Sequence, residues 1–252
     1  MTAHKAVGVD IGGTGVKAAL VDVETGELLS ERHKVATPKG GEPEDIVAAV
    51  TRLLSAIGEP DAEVGITFPA IVRQGKTMSA ANVSDRWIGL DAESLFEKSL
   101  GRDITFVNDA DAAGVAEQQY GAAKDQQGLV IVTTLGTGIG TAFIYRGVLQ
   151  PNTELGHLHW KGTDSAETLL SARARERRDL GWREWGGELA EYYRHLELLF
   201  SPELFVISGG VSKRPDRFVP FIDIATPIAI AKLKNNAGII GAAHLAHLAN
   251  AR

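Results

Sequence analysis

The chain has 252 residues, 44% hydrophobic and 23% charged, with 28 glycines, a composition of globular proteins large enough for one big domain or two small ones. It contains no cysteine, which excludes disulfides, thiol catalysis and any Cys-ligated zinc or iron–sulfur centre. No run of eighteen apolar residues occurs and the opening MTAHKAVGVD lacks a leader-like layout, so no membrane span is expected and the expected compartment is the cytoplasm.

The net charge of −6 argues against a general nucleic-acid binder. The charge is uneven, however. Residues 1–167 carry 14 Lys and Arg against 23 Asp and Glu, whereas residues 168–252 carry 12 against 9. A basic third inside an acidic chain points to a polyanionic partner, or to a solvated helix face bearing Arg173, Arg175, Arg177 and Arg178.

Val7–Ile11 and Val16–Val21 read as strands joined by the GGTG of residues 12–15, whose glycines are expected to supply the positive φ of a tight turn. A turn at Glu24-Thr-Gly-Glu leads to a third strand near Leu28. Pro43–Ile57 reads as a helix with Ile46, Val50, Leu53, Leu54 and Ile57 on one face, ended by Gly58. Val64–Phe68 and Ile104–Val107 are predicted strands, the latter running into an Ala-rich helix from about Asp111.

The opening pattern then returns. Val130–Leu135 is a strand, GTG at 136–138 a turn, Thr141–Tyr145 a strand, and the turn at Arg146-Gly147 echoes the one at Gly26. Such self-similarity predicts two related lobes, each opening with a strand–Gly loop–strand unit, and a ligand in the cleft between them. A helix Trp185–Phe200, a strand Leu204–Ser208 ending at Gly209-Gly210 and a last Ala-rich helix follow. The predicted division is residues 1–111 with 241–252 as the smaller lobe and 112–240 as the larger.

Gly-rich loops suggest phosphate, because a backbone without Cβ atoms can bring its N–H groups to an anion. GxxxxGK[ST] is absent, and a strand rather than a helix follows each loop. That excludes the P-loop and dinucleotide readings. Asp10 suits a hydrated Mg²⁺ or a turn cap, and Lys17 either reaches phosphate or points outward. In Asn108-Asp109-Ala110-Asp111, Asp109 is placed to take a hydroxyl proton and Asp111 to cap the helix. Glu154 and His157 lie three residues apart. They suit sugar hydroxyls, a metal site with His159, or a turn with a core histidine.

Five strings stand in order: Asp10-Ile-Gly-Gly-Thr-Gly-Val-Lys17, Asn108-Asp-Ala-Asp-Ala-Ala113, Leu135-Gly-Thr-Gly-Ile-Gly140, Glu154-Leu-Gly-His157 and Ser208-Gly-Gly-Val-Ser212. Together they resemble the ROK family of sugar kinases, whose α/β fold is of the actin/hexokinase type (ribonuclease H-like), duplicated as two lobes around a central cleft. Ala80-Ala-Asn-Val83, Pro151-Asn-Thr-Glu-Leu-Gly-His157 and Leu199-Phe-Ser-Pro-Glu-Leu-Phe-Val206 are similar to its polyphosphate glucokinase branch. Members of that branch transfer a phosphoryl group from inorganic polyphosphate, often also from ATP, to O6 of glucose, and some accept mannose.

The resemblance implies a role for each matching residue. Asp109 would be the base, and Asn82, Asn108, Glu154, His157 and Glu167 would hold the sugar hydroxyls. Gly12, Gly13, Thr14 and Lys17 from one lobe, with Thr134, Gly136, Thr137 and Gly138 from the other, would hold donor phosphates. Asp10 would carry Mg²⁺ through water, and Gly209 and Gly210 would lie under the adenosine of ATP. A homodimer is implied. Structural zinc is not, because the cysteine cluster that many relatives place after Glu-x-Gly-His is missing. A long polyphosphate needs cations outside the cleft; Lys213, Arg214, Arg217, Lys232 and Lys234 are the expected track, joined by Arg173 to Arg178.

Overall fold

Packing divides the chain into Met1–Ala116 with Asn236–Arg252, and Glu117–Asn235; the computed structural model describes residues 4–80 and 83–251. The first unit holds β1 (Lys5–Gly12), β2 (Gly15–Asp22), β3 (His33–Ala36), α1 (Pro43–Ile57), β4 (Glu63–Phe68), a short hairpin of β5 (Val72–Arg73) and β6 (Lys76–Thr77), α2 (Ala92–Leu100) and β7 (Thr105–Asn108). Helix α3 (Asp109–Tyr120) spans the boundary. The second unit holds β8 (Leu129–Leu135), β9 (Ile139–Tyr145), β10 (Val148–Gln150), α4 (Glu167–Leu170), α5 (Ala172–Arg177), α6 (Trp182–Phe200), β11 (Leu204–Ser208) and β12 (Ile228–Ile230). The last helix, α7 (Ala237–Asn250), returns to the first unit.

Alternation along β1 sets the layers of the first unit. Val7, Val9 and Ile11 are buried on one face with Ile46, Val50 and Leu53 of α1 and with Phe68, Trp87, Phe96 and Phe106. Phe68 and Trp87 have ring centroids 4.4 Å apart. Each such side chain contributes about 1.5–3 kcal/mol by leaving water. Helix α1 ends at Gly58, which takes a left-handed φ of 74° and donates its N–H to the Leu54 carbonyl.

On the other face Gly8 of β1 stands beside Gly65 of β4. A Cβ on Gly8 would overlap the Ile239 carbonyl, and one on Gly65 that of Ala242. Helix α7 therefore lies on the sheet at backbone contact, which its run of alanines permits. Gly241 of α7 meets the Ala112 carbonyl of α3 in the same way.

The two main sheets share one plan. The first has the order β3-β2-β1-β4-β7 and the second β10-β9-β8-β11-β12. In each, the central strand is antiparallel to the next strand in sequence and parallel to the two on its other side. The internal repeat of strand–Gly loop–strand is thus a repeat of whole sheets. In the second unit Ile131, Leu135, Phe205 and Ile207 pack on Trp185, Leu189, Tyr192, Tyr193 and Leu196 of α6. The Tyr193 hydroxyl meets Thr133 Oγ1 at 2.6 Å.

Three expectations are corrected. Leu28 makes a single bridge to Val21, and the third strand forms later, at His33–Ala36. Helix α3 begins at Asp109 rather than Asp111, and α6 at Trp182 rather than Trp185. Gly12 and Gly15 do not take the left-handed φ expected of the glycines at 12–15; a Cβ on Gly15 would press on the Lys34 side chain and the Val35 carbonyl.

Candidate functional site

In the first unit, the candidate residues gather at the carboxyl ends of β1, β4 and β7, which run parallel. Asp10 and Lys17 are cross-strand partners, and Lys17 Nζ lies 2.7 Å from Asp10 Oδ2. Lys17 therefore neutralises Asp10 instead of pointing outward. Thr67 of β4 donates its hydroxyl to Asp10 Oδ1 at 3.3 Å, and Gly238 of α7 leaves room for that carboxylate. The first glycine loop is braced by Thr37, whose hydroxyl donates to the Gly12 carbonyl. Neither threonine is legible as a site residue in the sequence, because each acts through a distant strand.

Asn108 closes β7 and starts α3. Its Oδ1 accepts from the N–H groups of Ala110 and Asp111 at 2.8 and 3.0 Å, while its Nδ2 donates to the Ala70 carbonyl at 3.0 Å. Asn108, not Asp111, is thus the helix cap. Its oxygen is fully used, and one N–H remains for a ligand. Asp109 follows at the first helical position, half-buried. Asn82 lies outside the described residues.

In the second unit the loop 136–138 joins β8 to β9. A Cβ at Gly136 would meet nothing within 4 Å, whereas one at Gly138 would strike the Glu167 carboxylate. Glu167 Oε2 accepts the Ile139 N–H at 2.9 Å, so this carboxylate braces the end of the loop. Thr134 is paired with Gly140 and Ser208, and Thr137 is exposed. Gly209, with φ 86°, packs against the backbone of Leu135, and Gly210 borders open space. The two glycine-rich segments of this unit therefore meet at one end of its sheet.

The Glu154–His157 turn is fixed to β9 beside that loop. Leu155 N–H donates to Thr141 Oγ1 at 3.2 Å, Ser165 Oγ donates to the Gly156 carbonyl at 2.9 Å, and Gly156 packs on the Ile139 carbonyl. Glu154 Oε2 lies 3.3 Å from His157 Nδ1, with Glu154 largely buried and His157 exposed. Burial pushes the Glu154 carboxyl above its ordinary pKa; His157 draws it back, and Glu167 raises it further. His159 instead faces Asp164 at 3.7 Å, and no cluster of three His, Asp or Glu side chains arranged for a metal occurs among the described residues.

The arginines of residues 173–178 do not form one solvated face. Arg178 makes a two-point pair with Glu188, Arg177 donates to the Thr168 carbonyl, and Arg175 lies over the Trp182 ring at 4.0 Å. The remaining expected cations, Lys213, Arg214, Arg217, Lys232 and Lys234, are exposed.

The first unit thus sets a carboxylate at a helix start near a glycine loop, and the second sets a glycine loop beside a partly buried glutamate paired with an exposed histidine. The ROK family model matches residues 6–167. The chain belongs to the ROK family. It is 39% identical to the polyphosphate glucokinase of Mycobacterium tuberculosis, over 96% of this chain and 91% of that one. Among solved structures it is similar to the inorganic polyphosphate/ATP-glucomannokinase of Arthrobacter sp. strain KM, at 47% identity and TM-score 0.93, over 97% of this chain and 99% of that one. A ROK glucokinase from Streptomyces griseus, solved with glucose and AMPPNP, matches at 28% identity and TM-score 0.81, over 97% and 99%. These ROK kinases share the actin/hexokinase-type α/β fold expected from the sequence.

Proposed function

We propose that this chain transfers a phosphoryl group from inorganic polyphosphate, and from ATP, to O6 of glucose, with mannose as a second acceptor. The observation that carries this reading is the 39% identity with a polyphosphate glucokinase over nearly the whole of both chains. The placement of Asp109, the glycine loops and the Glu154–His157 pair supports it.

Asp109 takes the proton of the sugar 6-hydroxyl as O6 attacks the terminal phosphorus and the bond to the bridging oxygen of the donor breaks. Asn108 has one N–H for the sugar, and its main work is to seat Asp109. Glu154, His157, Glu167 and Asn82 order the other hydroxyls. Gly12, Gly13, Thr14 and Lys17, with Thr134, Gly136, Thr137 and Gly138, hold the phosphates, and Gly209 and Gly210 lie under the adenosine of ATP. Asp10 is a hard oxygen donor whose Oδ1 has one long hydrogen bond, and it would suit a hydrated Mg²⁺. The ion would supply charge neutralisation on the transferring group. Positioning and electrostatics carry the rest, as the loose transition state of phosphoryl transfer requires.

The strand order supports the reading of a track. β8, β11 and β12 are parallel neighbours. Loop 136–138 leaves the carboxyl end of β8, Lys213, Arg214 and Arg217 follow β11, and Lys232 and Lys234 follow β12. That order supports reading these cations as contacts for a donor longer than a nucleotide.

The protein is further read as a homodimer acting in the cytoplasm; among the described residues no helix is long and apolar enough to cross a membrane. The reading is tested by incubating the purified protein with Mg²⁺, one sugar and one donor. Glucose 6-phosphate should form from nucleotide-free polyphosphate and from ATP. Turnover with ATP alone would reduce the track to a solvated surface. Donor hydrolysis indifferent to sugar would overturn the sugar kinase.

A further inference from the structure

The basic stretch at residues 173–178 contains two kinds of arginine. Arg175, Arg177 and Arg178 are each tied to their own unit, the last by bonds of 2.6 and 2.8 Å to Glu188 and 3.0 Å to the Leu169 carbonyl. Arg173 is different. Its side chain is exposed and makes no ion pair or side-chain hydrogen bond among the described residues.

Its backbone, by contrast, is fixed. The Arg173 N–H donates to the Gly136 carbonyl at 3.1 Å. A few residues earlier the Glu167 carboxylate accepts the Ile139 N–H at 2.9 Å. Residues 167–173 are therefore fastened to both ends of the 136–138 loop, and Ser171 Oγ accepts from Ala174 N–H at 3.1 Å to hold the turn between those points. A Cβ on Gly136 would meet nothing within 4 Å apart from its chain neighbours. A free, long cation is thus anchored on the first residue of a glycine loop with open space beside it.

We propose that Arg173 is a donor-binding residue whose guanidinium holds a phosphate at a position that polyphosphate and ATP have in common. The inference rests on the phosphoryl-transfer reading above and deepens it. A guanidinium presents a planar fork that matches two phosphate oxygens, which an ammonium cannot do. Location separates Arg173 from the outer track: it stands on the loop at the end of β8, whereas the other five cations follow β11 and β12. Those five act on a long donor only; Arg173 acts on every donor.

The test compares Arg173→Ala and Arg173→Lys with the wild type. It follows kcat/KM for polyphosphate and for ATP, KM for glucose, and sugar-free binding of inorganic tripolyphosphate by calorimetry. In Arg173→Ala, kcat/KM should fall about ten- to a hundred-fold with both donors, the loss of a charge-assisted hydrogen bond. KM for glucose should stay within about two-fold, tripolyphosphate should bind more weakly, and Lys should restore part of the loss. Unchanged kcat/KM with both donors overturns the inference. So does a loss confined to polyphosphate, which would place Arg173 in the outer track, or a raised glucose KM with a lowered Tm, which would make it structural. The alanine variant keeps the backbone bond to Gly136; should it fail to fold, Arg173→Gln gives the same readouts. A wild type inactive with every donor would instead overturn the kinase reading, and tripolyphosphate binding would still judge Arg173 alone.

Discussion

One side-chain oxygen seats the residue proposed as base. Asn108 Oδ1 caps α3 through Ala110 and Asp111, and Asp109 stands between the cap and those amides. Asn108→Ala should cost about 1 kcal/mol of stability, read as a lower Tm, and should lower kcat as well. Asn108→Asp keeps the cap but loses the donor to the Ala70 carbonyl, so it should recover only part of the Tm. Glu154 shows how a residue proposed to hold the sugar works against the fold. Its pKa is raised by burial, so it favours the folded state below the ordinary carboxylate range, and that contribution is lost as pH rises through the raised value. At neutral pH the ionised group therefore costs stability. Glu154→Gln should raise Tm in a neutral melt while weakening glucose. In the wild type the glucose KM should climb as pH falls through that raised pKa, and the variant should lack this limb. At this scale the pairing of Glu154 with His157 was legible, because the two stand only three residues apart. Thr37 and Thr67 were not legible, since their partners lie on other strands and an isolated threonine carries no local signal.

Among elements, glycine has two uses that look alike in sequence. Gly136 and Gly210 leave open space at the second unit's sheet end, but Gly8 and Gly65 admit the backbone of α7. Gly65→Ala should therefore destabilise by about 1–3 kcal/mol or more by overpacking, seen as a lower urea midpoint at unchanged m. The span and left-handed cap of α1 were legible because its apolar stripe, Pro43 and Gly58 agree with one another. The third strand was misplaced by several residues, because an edge strand of alternating exposure, His33–Ala36, offers little hydrophobic pattern. The loop after His157 has no cysteine and is held by other means: Trp160 and Thr163 exchange backbone hydrogen bonds at 3.0 and 2.9 Å, Trp160 packs edge-on against Tyr192, and Lys161 pairs with Glu191 at 2.5 Å. Trp160→Ala should loosen the Glu154–His157 turn and raise the glucose KM several-fold, with donor KM little changed.

Over the whole molecule, duplication and charge distribution agree with the reading that the likeness to polyphosphate glucokinases carries. The GTG repeat in the sequence is the visible part of two sheets with one strand order, and that order places glycine loops at equivalent strand ends in each unit. The uneven charge marked residues 168–252 as the basic stretch, yet composition could not separate Arg175, Arg177 and Arg178, which bind the protein itself, from the exposed cations. Removing Arg214, Lys232 and Lys234 together should raise KM for long-chain polyphosphate about ten-fold or more and leave ATP unchanged, because phosphate contacts of this kind add electrostatically. That loss should shrink at high salt. The central claim is that Asp109 serves as base in transfer from polyphosphate to glucose. It is tested most directly by the rate of glucose 6-phosphate formation from nucleotide-free polyphosphate, at saturating sugar and donor, for the wild type and Asp109→Asn. The account predicts steady turnover by the wild type and a fall of about 10²–10⁴-fold in the variant. An inactive wild type, or a variant that turns over at the wild-type rate, would contradict it.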